Sequence, residues 1–63
     1  MNPKLLTVKE FAALVGIGRS RVYELLAAGE IRSVKIGRLR RIPADEPDRF
    51  VRKLLAEQSE VAQ

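Results

Sequence analysis

The chain contains no cysteine and no histidine among its 63 residues. Without cysteine, no disulfide can stabilise the fold and no thiolate can hold a structural metal ion. Without histidine, the usual general base at neutral pH is absent, and with it the Ser–His pair and most zinc sites. We therefore expect a protein that is not an enzyme and that binds neither a metal nor another cofactor.

Long hydrophobic runs are also missing. No apolar run approaches the roughly 18–20 residues that a membrane span needs, and no signal-peptide core is present. A cytoplasmic protein is therefore expected. The length allows one domain, and a chain of about this size buries only about 60% of the surface that it exposes when unfolded. Because 46% of the residues are hydrophobic, an economical core is possible.

Positive charge is concentrated in the middle of the chain. Residues 19–41 hold seven basic and two acidic side chains, a local charge of +5, whereas the whole chain carries +4. The segments before and after carry +1 and −2. A local basic stripe favours a polyanionic partner such as nucleic acid, although basic surfaces also occur without such a function.

Apolar residues recur at helical spacing in three segments. The stripes consist of Val8, Phe11, Ala12 and Val15; of Val22, Leu25 and Leu26; and of Phe50, Val51, Leu54 and Leu55. The spacing predicts three short amphipathic helices.

The first helix has a clear start signal. Thr7 and Glu10 have the spacing of a capping box, in which each side chain bonds to the other residue's backbone N–H. Leu6 and Phe11 are placed to form the accompanying hydrophobic staple. Gly16 follows the last apolar residue and tolerates the left-handed conformation that ends many helices.

The break between the first two helices spans only residues 16–18. This length suits a helix-turn-helix in which Ile17 folds inward, and it is too short for a nucleotide-binding loop. Gly18 is an acceptable but not an optimal N-cap for the second helix. Gly29 is placed to end that helix as Gly16 ends the first.

From Ile31 the apolar period changes to two, which predicts a β-hairpin. A two-residue loop, Gly37-Arg38, would pair Ile36 with Leu39 and direct Ile42 to the opposite face. A three-residue loop, ending at Leu39, places Val34, Ile36 and Ile42 on one apolar face. The alternation of side chains between the two faces of a strand therefore predicts the longer loop, with Arg38 at its tip.

The predicted register has an electrostatic consequence. It places Lys35 opposite Arg41 on the outer face, where like charges destabilise a strand pair. A bound phosphate between them would relieve the repulsion. Alternatively, the two long side chains splay into water.

The third helix is expected to begin near Asp45. Asp45 can cap it, while Glu46 and Asp48 suit the positive end of the helix dipole. Capping explains this acidic cluster better than a catalytic or metal-binding role, and the cluster should face away from DNA. We expect the folded domain to cover residues 1–56 and the polar residues 57–63 to form a frayed tail.

The second helix has a polar face opposite its apolar stripe. Its members are Arg19, Ser20, Arg21, Tyr23 and Glu24. The first residues of a recognition helix reach base edges in the major groove. Arginine suits guanine, serine can contact phosphate or a base, tyrosine can reach phosphate, and glutamate can accept from cytosine. The alternative is a solvated face with mixed charges, on which the glutamate merely repels phosphate.

The hairpin supplies the second set of candidate DNA contacts. They are Lys35, Gly37, Arg38, Arg40 and Arg41. Arg38 at the tip can enter a minor groove or lie on the backbone. Charge that protects an edge strand against aggregation is the alternative, but three arginines in four residues exceed that need.

Three segments together resemble the excisionase-type family of small winged helix-turn-helix DNA-binding domains, which is related to the DNA-binding heads of MerR-like regulators. They are Leu5-Leu6-Thr7-Val8-Lys9-Glu10, then Val15-Gly16-Ile17-Gly18-Arg19-Ser20-Arg21-Val22-Tyr23, and finally Lys35-Ile36-Gly37-Arg38 with Arg41-Ile42-Pro43. The resemblance covers about residues 5–55.

The resemblance implies a mainly α fold with a small β-hairpin, in the order α-turn-α-β-wing-β-α. It implies that residues 19–24 enter the major groove of double-stranded DNA, that residues 37–41 form the wing, and that Thr7 at the start of the first helix contacts phosphate. The chain departs from the family pattern at two positions. Gly18 replaces a serine or threonine cap, and Arg40 replaces a large aromatic residue, so that the Arg40 stem can cover the core while its head reaches outward.

Three functions are open at this point. The resemblance implies an excisionase that binds side-by-side sites at the ends of a mobile element, bends the DNA and directs an integrase or recombinase toward excision. It also implies contacts between neighbouring copies, and association with the nucleoid when bound. A small phage or plasmid transcription regulator is the alternative within DNA binding; about eight residues after Leu55 cannot supply the dimerisation helix of a MerR-like regulator. A protein-interaction adaptor or antitoxin-like module, using the acidic third helix and Leu39, is the alternative of another class.

Overall fold

The computed structural model describes residues 4–59, which form three helices and a three-stranded antiparallel sheet. The elements in chain order are β1 (Leu5–Leu6), α1 (Val8–Val15), α2 (Arg19–Ala27), β2 (Val34–Ile36), β3 (Leu39–Pro43) and α3 (Glu46–Ser59). This order confirms the predicted winged helix-turn-helix, a mainly α fold with a small hairpin.

The start of α1 is organised by the predicted capping box. The Thr7 hydroxyl oxygen accepts a hydrogen bond from the Glu10 backbone N–H at 3.0 Å, and the Glu10 carboxylate accepts from the Thr7 backbone N–H at 2.8 Å. Leu6 and Phe11 are both buried in the core. The local sequence therefore fixes where the chain turns from strand to helix.

Glycines end both helices of the helix-turn-helix. Gly16 adopts φ 86°, and the Ile17 N–H donates to the Ala12 carbonyl at 3.0 Å. Ile17 is half-buried against the core, as predicted. Beyond α2, Gly29 has φ 75° and the Glu30 N–H donates to the Leu25 carbonyl, which completes a Schellman motif.

The strand β1 was not predicted from the sequence. It lies beside β3, so that Leu6 faces Ile42 across the pair, and the sheet order is β1-β3-β2. A strand of two residues is too short to show an alternating pattern, so only the fold reveals it. It ties the segment before α1 to the returning strand of the hairpin.

The predicted three-residue hairpin loop is wrong. The register pairs Ile36 with Leu39, so that the loop consists of Gly37 and Arg38 alone. Gly37 has φ 61°, and a glycine with positive φ at the first turn position is typical of tight two-residue hairpin turns. A three-residue loop would place Ile36 and Ile42 on one buried face, whereas Ile36 is 56% exposed and only Ile42 is buried.

The core sits where the three helices meet β1, β3 and the segment before β2. Its buried hydrophobic residues are Leu6, Val8, Phe11, Ala12, Val22, Ile31, Ile42 and Phe50. The Phe11 and Phe50 rings pack with centroids 6.2 Å apart. Because Val22 is fully buried while its helical neighbours on the polar face are exposed, this packing sets the rotation of α2 and directs its polar face outward.

The helix α3 begins at Glu46 and continues through Ser59. It therefore extends three residues past the predicted domain boundary at residue 56, into the segment expected to fray. Residues 60–63 of that segment, and residues 1–3 of the predicted domain, lie outside the described residues.

Candidate nucleic-acid interface

The polar face of α2 is fully open to solvent. All five candidate residues of this helix are exposed, namely Arg19, Ser20, Arg21, Tyr23 and Glu24. Tyr23 is 55% exposed, so its hydroxyl is free to reach a partner. Gly18 caps the helix without a side-chain hydrogen bond, which leaves the N-terminal N–H groups of α2 available to an anion.

Arg21 and Glu24 form an ion pair one helical turn apart. The Arg21 guanidinium donates to the Glu24 carboxylate at 2.7 Å. About two thirds of each side chain is exposed, and exposed pairs of this kind contribute little free energy. Arg21 also borders the open groove between α2 and α3, beside Leu25 and Phe50. It therefore lies at the edge of the polar face, as predicted.

The hairpin register rearranges the charges of the wing. Lys35 lies opposite Arg40, not opposite Arg41 as predicted, because the loop is one residue shorter. The like-charge pair persists with a different partner. Arg41 lies opposite Val34, and its guanidinium donates to the Arg40 carbonyl at 2.9 Å. Arg40 is exposed and lies on the same face of β3 as buried Ile42, so that the covering of the core by its stem stays a prediction.

The ion pairs divide the cations into two groups. Within residues 4–59, two of the three cations of α3 and the arginine before β2 are paired: Arg49 and Arg32 with Glu46, and Lys53 with Glu30. In the same described part of the chain, no carboxylate lies within ion-pair distance of Arg19, Lys35, Arg38, Arg40 and Arg41. Unneutralised positive charge is thus concentrated on α2 and the hairpin.

Arg32, part of the basic stripe in the sequence, has a structural role. Its Nε donates to Glu46 at 2.9 Å and its terminal nitrogen to Asp45 at 3.3 Å. The hydrogen bond and charge of Glu46 raise the pKa of Arg32 above its ordinary value. The stripe that remains for a polyanion is therefore narrower than the sequence count indicated.

Glu46 has a structural role that the sequence did not indicate. We expected it to serve only the dipole of α3, but its side chain is fully buried. Its carboxylate accepts hydrogen bonds from the Arg32 backbone N–H at 2.7 Å, the Arg32 Nε and Arg49. No sequence signal distinguishes it from its exposed neighbour Asp48, because only the path of the distant segment around Arg32 buries it.

Apart from Arg41, the outer face of the hairpin is apolar. Val34, Ile36 and Leu39 share it and are 40–56% exposed. The predicted register would have turned the first two toward the core. The observed one presents all three to solvent, which makes Leu39 part of a larger apolar surface than the sequence indicated.

Thr7 lies at the start of α1 and is half-buried. Its hydroxyl oxygen is occupied by the capping box, whereas the hydroxyl hydrogen remains available to donate to a phosphate oxygen. Among residues 4–59, no group of three or more acidic side chains is placed to hold a metal ion. No helix in that range is long and apolar enough to cross a membrane.

Comparison with known proteins places this geometry in a family. A helix-turn-helix domain model matches residues 5–55. The chain is 53% identical over 58 residues to a protein of Saccharopolyspora erythraea named "Probable excisionase". The matched residues make up 92% of this chain but only 59% of that relative. The chain is 40% identical over 57 residues to an excisionase of Streptomyces ambofaciens, which covers 90% of this chain and 92% of the relative. No solved structure matches.

These matches extend over nearly the whole winged fold, including α2 and the hairpin. They support the interpretation as a non-enzymatic protein. The chain belongs to the excisionase-type family of small helix-turn-helix DNA-binding proteins.

Proposed function

We propose that this protein binds duplex DNA with α2 in the major groove and the hairpin on the adjacent minor groove or backbone. The observation that carries the proposal is the distribution of ion pairs: carboxylates pair with Arg32, Arg49 and Lys53, whereas Arg19 of α2 and the four cations of the hairpin have no acidic partner among the described residues. The exposed N-terminal half of α2 is the part of a recognition helix that reads base edges.

Within this proposal, Arg19, Ser20 and Arg21 are the leading base or phosphate contacts, and Tyr23 reaches phosphate. Glu24 can accept from cytosine, but it also holds Arg21 in place through their ion pair. Lys35 and Arg40 face each other across the hairpin. A phosphate between them would convert their repulsion into two attractive contacts.

The tip and the outer side of the hairpin complete the proposed contacts. Arg38 lies in the two-residue turn and can extend into a minor groove. Arg41 can reach the backbone beside it, and the open space around Gly37 lets the hairpin main chain approach DNA closely. Thr7 would add a phosphate contact from the start of α1.

The salt dependence of DNA affinity tests this proposal. With about five phosphate contacts on a duplex, log Kd should change with log salt with a slope of magnitude about 4 to 5. Fluorescence anisotropy on a labelled duplex at increasing salt measures the slope. A slope close to zero, which means an affinity that does not change with salt, would contradict DNA binding through these cations.

We further propose that the bound DNA is a pair of side-by-side sites at the ends of a mobile element, and that the protein bends it and directs an integrase toward excision. The names of the two relatives support this. Bending of 40–90° over 20–30 base pairs costs of order 1–6 kcal/mol, so contacts from both α2 and the wing would be needed to offset it. Bound in this way, the protein would be cytoplasmic and nucleoid-associated.

Footprinting on the DNA that flanks the gene, with and without a neighbouring integrase, tests the excision proposal. Protection of adjacent sites that extends or strengthens when integrase is added is expected. Protection confined to a promoter, unchanged by integrase, would instead favour a transcription regulator.

The apolar outer face of the hairpin favours protein contacts in addition to DNA. Val34, Ile36 and Leu39 are exposed on one face, where a neighbouring copy or an integrase could bury them. Ile36→Ser should leave the affinity for a single site unchanged and reduce cooperative binding to two adjacent sites. Equal loss at single and paired sites would contradict a protein contact there.

A further inference from the structure

Glu46 connects the two chain segments that flank the hairpin, one before β2 and one after β3. It is the first residue of α3, directly after the turn that follows β3. Through space it receives the Arg32 backbone N–H and the Arg32 Nε, two residues before β2 begins. A single carboxylate thus ties the segment that leads into the hairpin to the segment that leads out of it.

Because this carboxylate is buried, its hydrogen-bond donors must be well placed. The Glu46 side chain is fully buried, whereas Arg32 and Arg49 are each about half exposed. A buried carboxylate is costly unless hydrogen-bonded donors surround it in good geometry. The segment around Arg32 must therefore take one position for the charge to be satisfied. A buried ion pair adds little net stability, but removing one partner leaves an uncompensated buried charge, which disfavours other arrangements of the segment.

The remainder of the fold holds the hairpin mainly through β3, which pairs with β1, and much less through β2. All three residues of β2 are exposed, and β2 is an edge strand of the sheet. Ile42 of β3 and Ile31 before β2 are the buried residues on either side. The Lys53–Glu30 pair at 2.7 Å also reaches the segment before β2, but its side chains are 41% and 47% exposed and neither is buried, so its contribution is small.

We propose that Glu46 and Arg32 are positioning residues that set the orientation of the wing relative to the recognition helix α2. This inference rests on the proposed function, since the wing must meet DNA together with α2. Arg32 is then a cation that serves DNA binding without touching DNA, and Glu46 an acidic residue on which DNA affinity depends.

Glu46→Gln separates this role from simple electrostatics. The substitution removes a negative charge and makes the protein more positive. If only net charge mattered, DNA binding would be unchanged or tighter. The glutamine NH₂ would meet the donors of Arg32 or Arg49, because the carboxylate accepts from both sides. If Glu46 positions the wing, DNA affinity falls about tenfold, near the low end of one charge-assisted hydrogen bond.

Double substitutions locate the effect. In an Arg38→Ala background, where the wing-tip contact is already lost, Glu46→Gln should add less than about twofold. In an Arg19→Ala background it should still cost about tenfold, because α2 and the wing are then independent. An equal loss in both backgrounds would mean a general structural effect and would overturn the proposal.

Arg32 and Arg49 provide matched variants. Both are half-exposed arginines that bind Glu46, but Arg49 lies within α3 and makes an i, i+3 contact. Arg32→Ala should reproduce the effect of Glu46→Gln, whereas Arg49→Ala, with the same loss of charge, should change affinity less than about twofold. Equal effects of the two would overturn the proposal. If Glu46→Gln lowers the folded population, the comparison of DNA affinity between Arg32→Ala and Arg49→Ala tests the proposal in its place.

Residual dipolar couplings of the free protein give a readout that needs no DNA. In the wild type, the amides of β2 and β3 should fit the same alignment as those of α1 and α2. In Glu46→Gln or Arg32→Ala, the hairpin couplings should shrink or depart from that alignment, while the helix couplings stay unchanged. Unchanged hairpin couplings would overturn the proposal. Changed couplings in a protein that does not bind DNA would support the positioning role while refuting the proposed function.

Discussion

Arg38 shows most directly what a single residue contributes to the proposed interface. It lies in the two-residue turn of the hairpin, and no ion pair holds it among the described residues. Arg38→Ala should weaken binding to any duplex by about 1.5–3 kcal/mol and reduce the salt slope by about 1, with folding intact. Anisotropy titrations on specific and random duplexes measure both.

Arg52→Ala is the matched control for Arg38→Ala, since Arg52 is an exposed arginine on α3. It should change affinity far less. Normal affinity of the Arg38 variant would remove the wing tip from the interface.

Arg21 differs from Arg38 because it has an acidic partner. Its ion pair with Glu24 is exposed, so breaking it on binding costs at most about 1 kcal/mol. If Arg21 reads a base, Arg21→Ala should cost about 1–3 kcal/mol on the preferred site and relax the base preference. Competition binding with site variants measures this. Equal losses on preferred and random DNA would make it a phosphate contact.

At the scale of elements, the start of α1 depends on one side chain. Thr7→Ala removes the hydroxyl that accepts from the Glu10 backbone and should lower the free energy of unfolding by about 1 kcal/mol. Urea denaturation measures the change. Thr7→Ser keeps the hydroxyl and should retain most of the stability; if it were as unstable as Thr7→Ala, the cap would not be the cause.

The hairpin turn depends on backbone conformation and not on contacts. Gly37 has φ 61°, while the space around its Cα is open. Gly37→Ala should therefore destabilise the hairpin by about 1–2 kcal/mol through strain alone. Hydrogen exchange should then show protection of the hairpin amides falling about 5- to 30-fold.

Gly18 is the control for the turn, because it also has open space but an ordinary φ of −76°. Gly18→Ser should be neutral or stabilise α2 by a few tenths of a kcal/mol as a better cap. Unchanged hairpin protection in Gly37→Ala would contradict the two-residue turn.

At the scale of the whole molecule, the Glu30–Lys53 pair links the segment before the hairpin to α3. The hydrogen bond and charge of Lys53 lower the pKa of Glu30 below its ordinary value of 4.5. Stability from this pair is therefore present above pH 4.5 and is lost as pH falls through the lowered pKa. Urea midpoints measured across acidic pH should drop less steeply for Glu30→Gln than for the wild type. Lys53→Gln should flatten the profile in the same way, and an unchanged slope in both would contradict the linkage.

The sequence determined the local structure well wherever a short-range physical signal existed. The Thr7–Glu10 box, the left-handed glycine that follows α1 and the inward Ile17 depend on neighbours within a few residues, and each was predicted. The exposed candidates on α2 were also predicted, since the position of Val22 in the apolar stripe dictates which side faces out. The absence of histidine and cysteine favours binding over catalysis on the sequence alone.

Only the tertiary structure decided the hairpin register, the strand β1 and the role of Glu46. Hydrophobic alternation fixes a register only where one face is buried, and only the folded structure shows that β2 extends beyond the core and that Ile36 pairs with Leu39. The pairing of Leu6 with Ile42 and the burial of Glu46 beside Arg32 join residues far apart in the chain. Such contacts produce no periodic pattern in the sequence, because the packing of the helices brings these segments together.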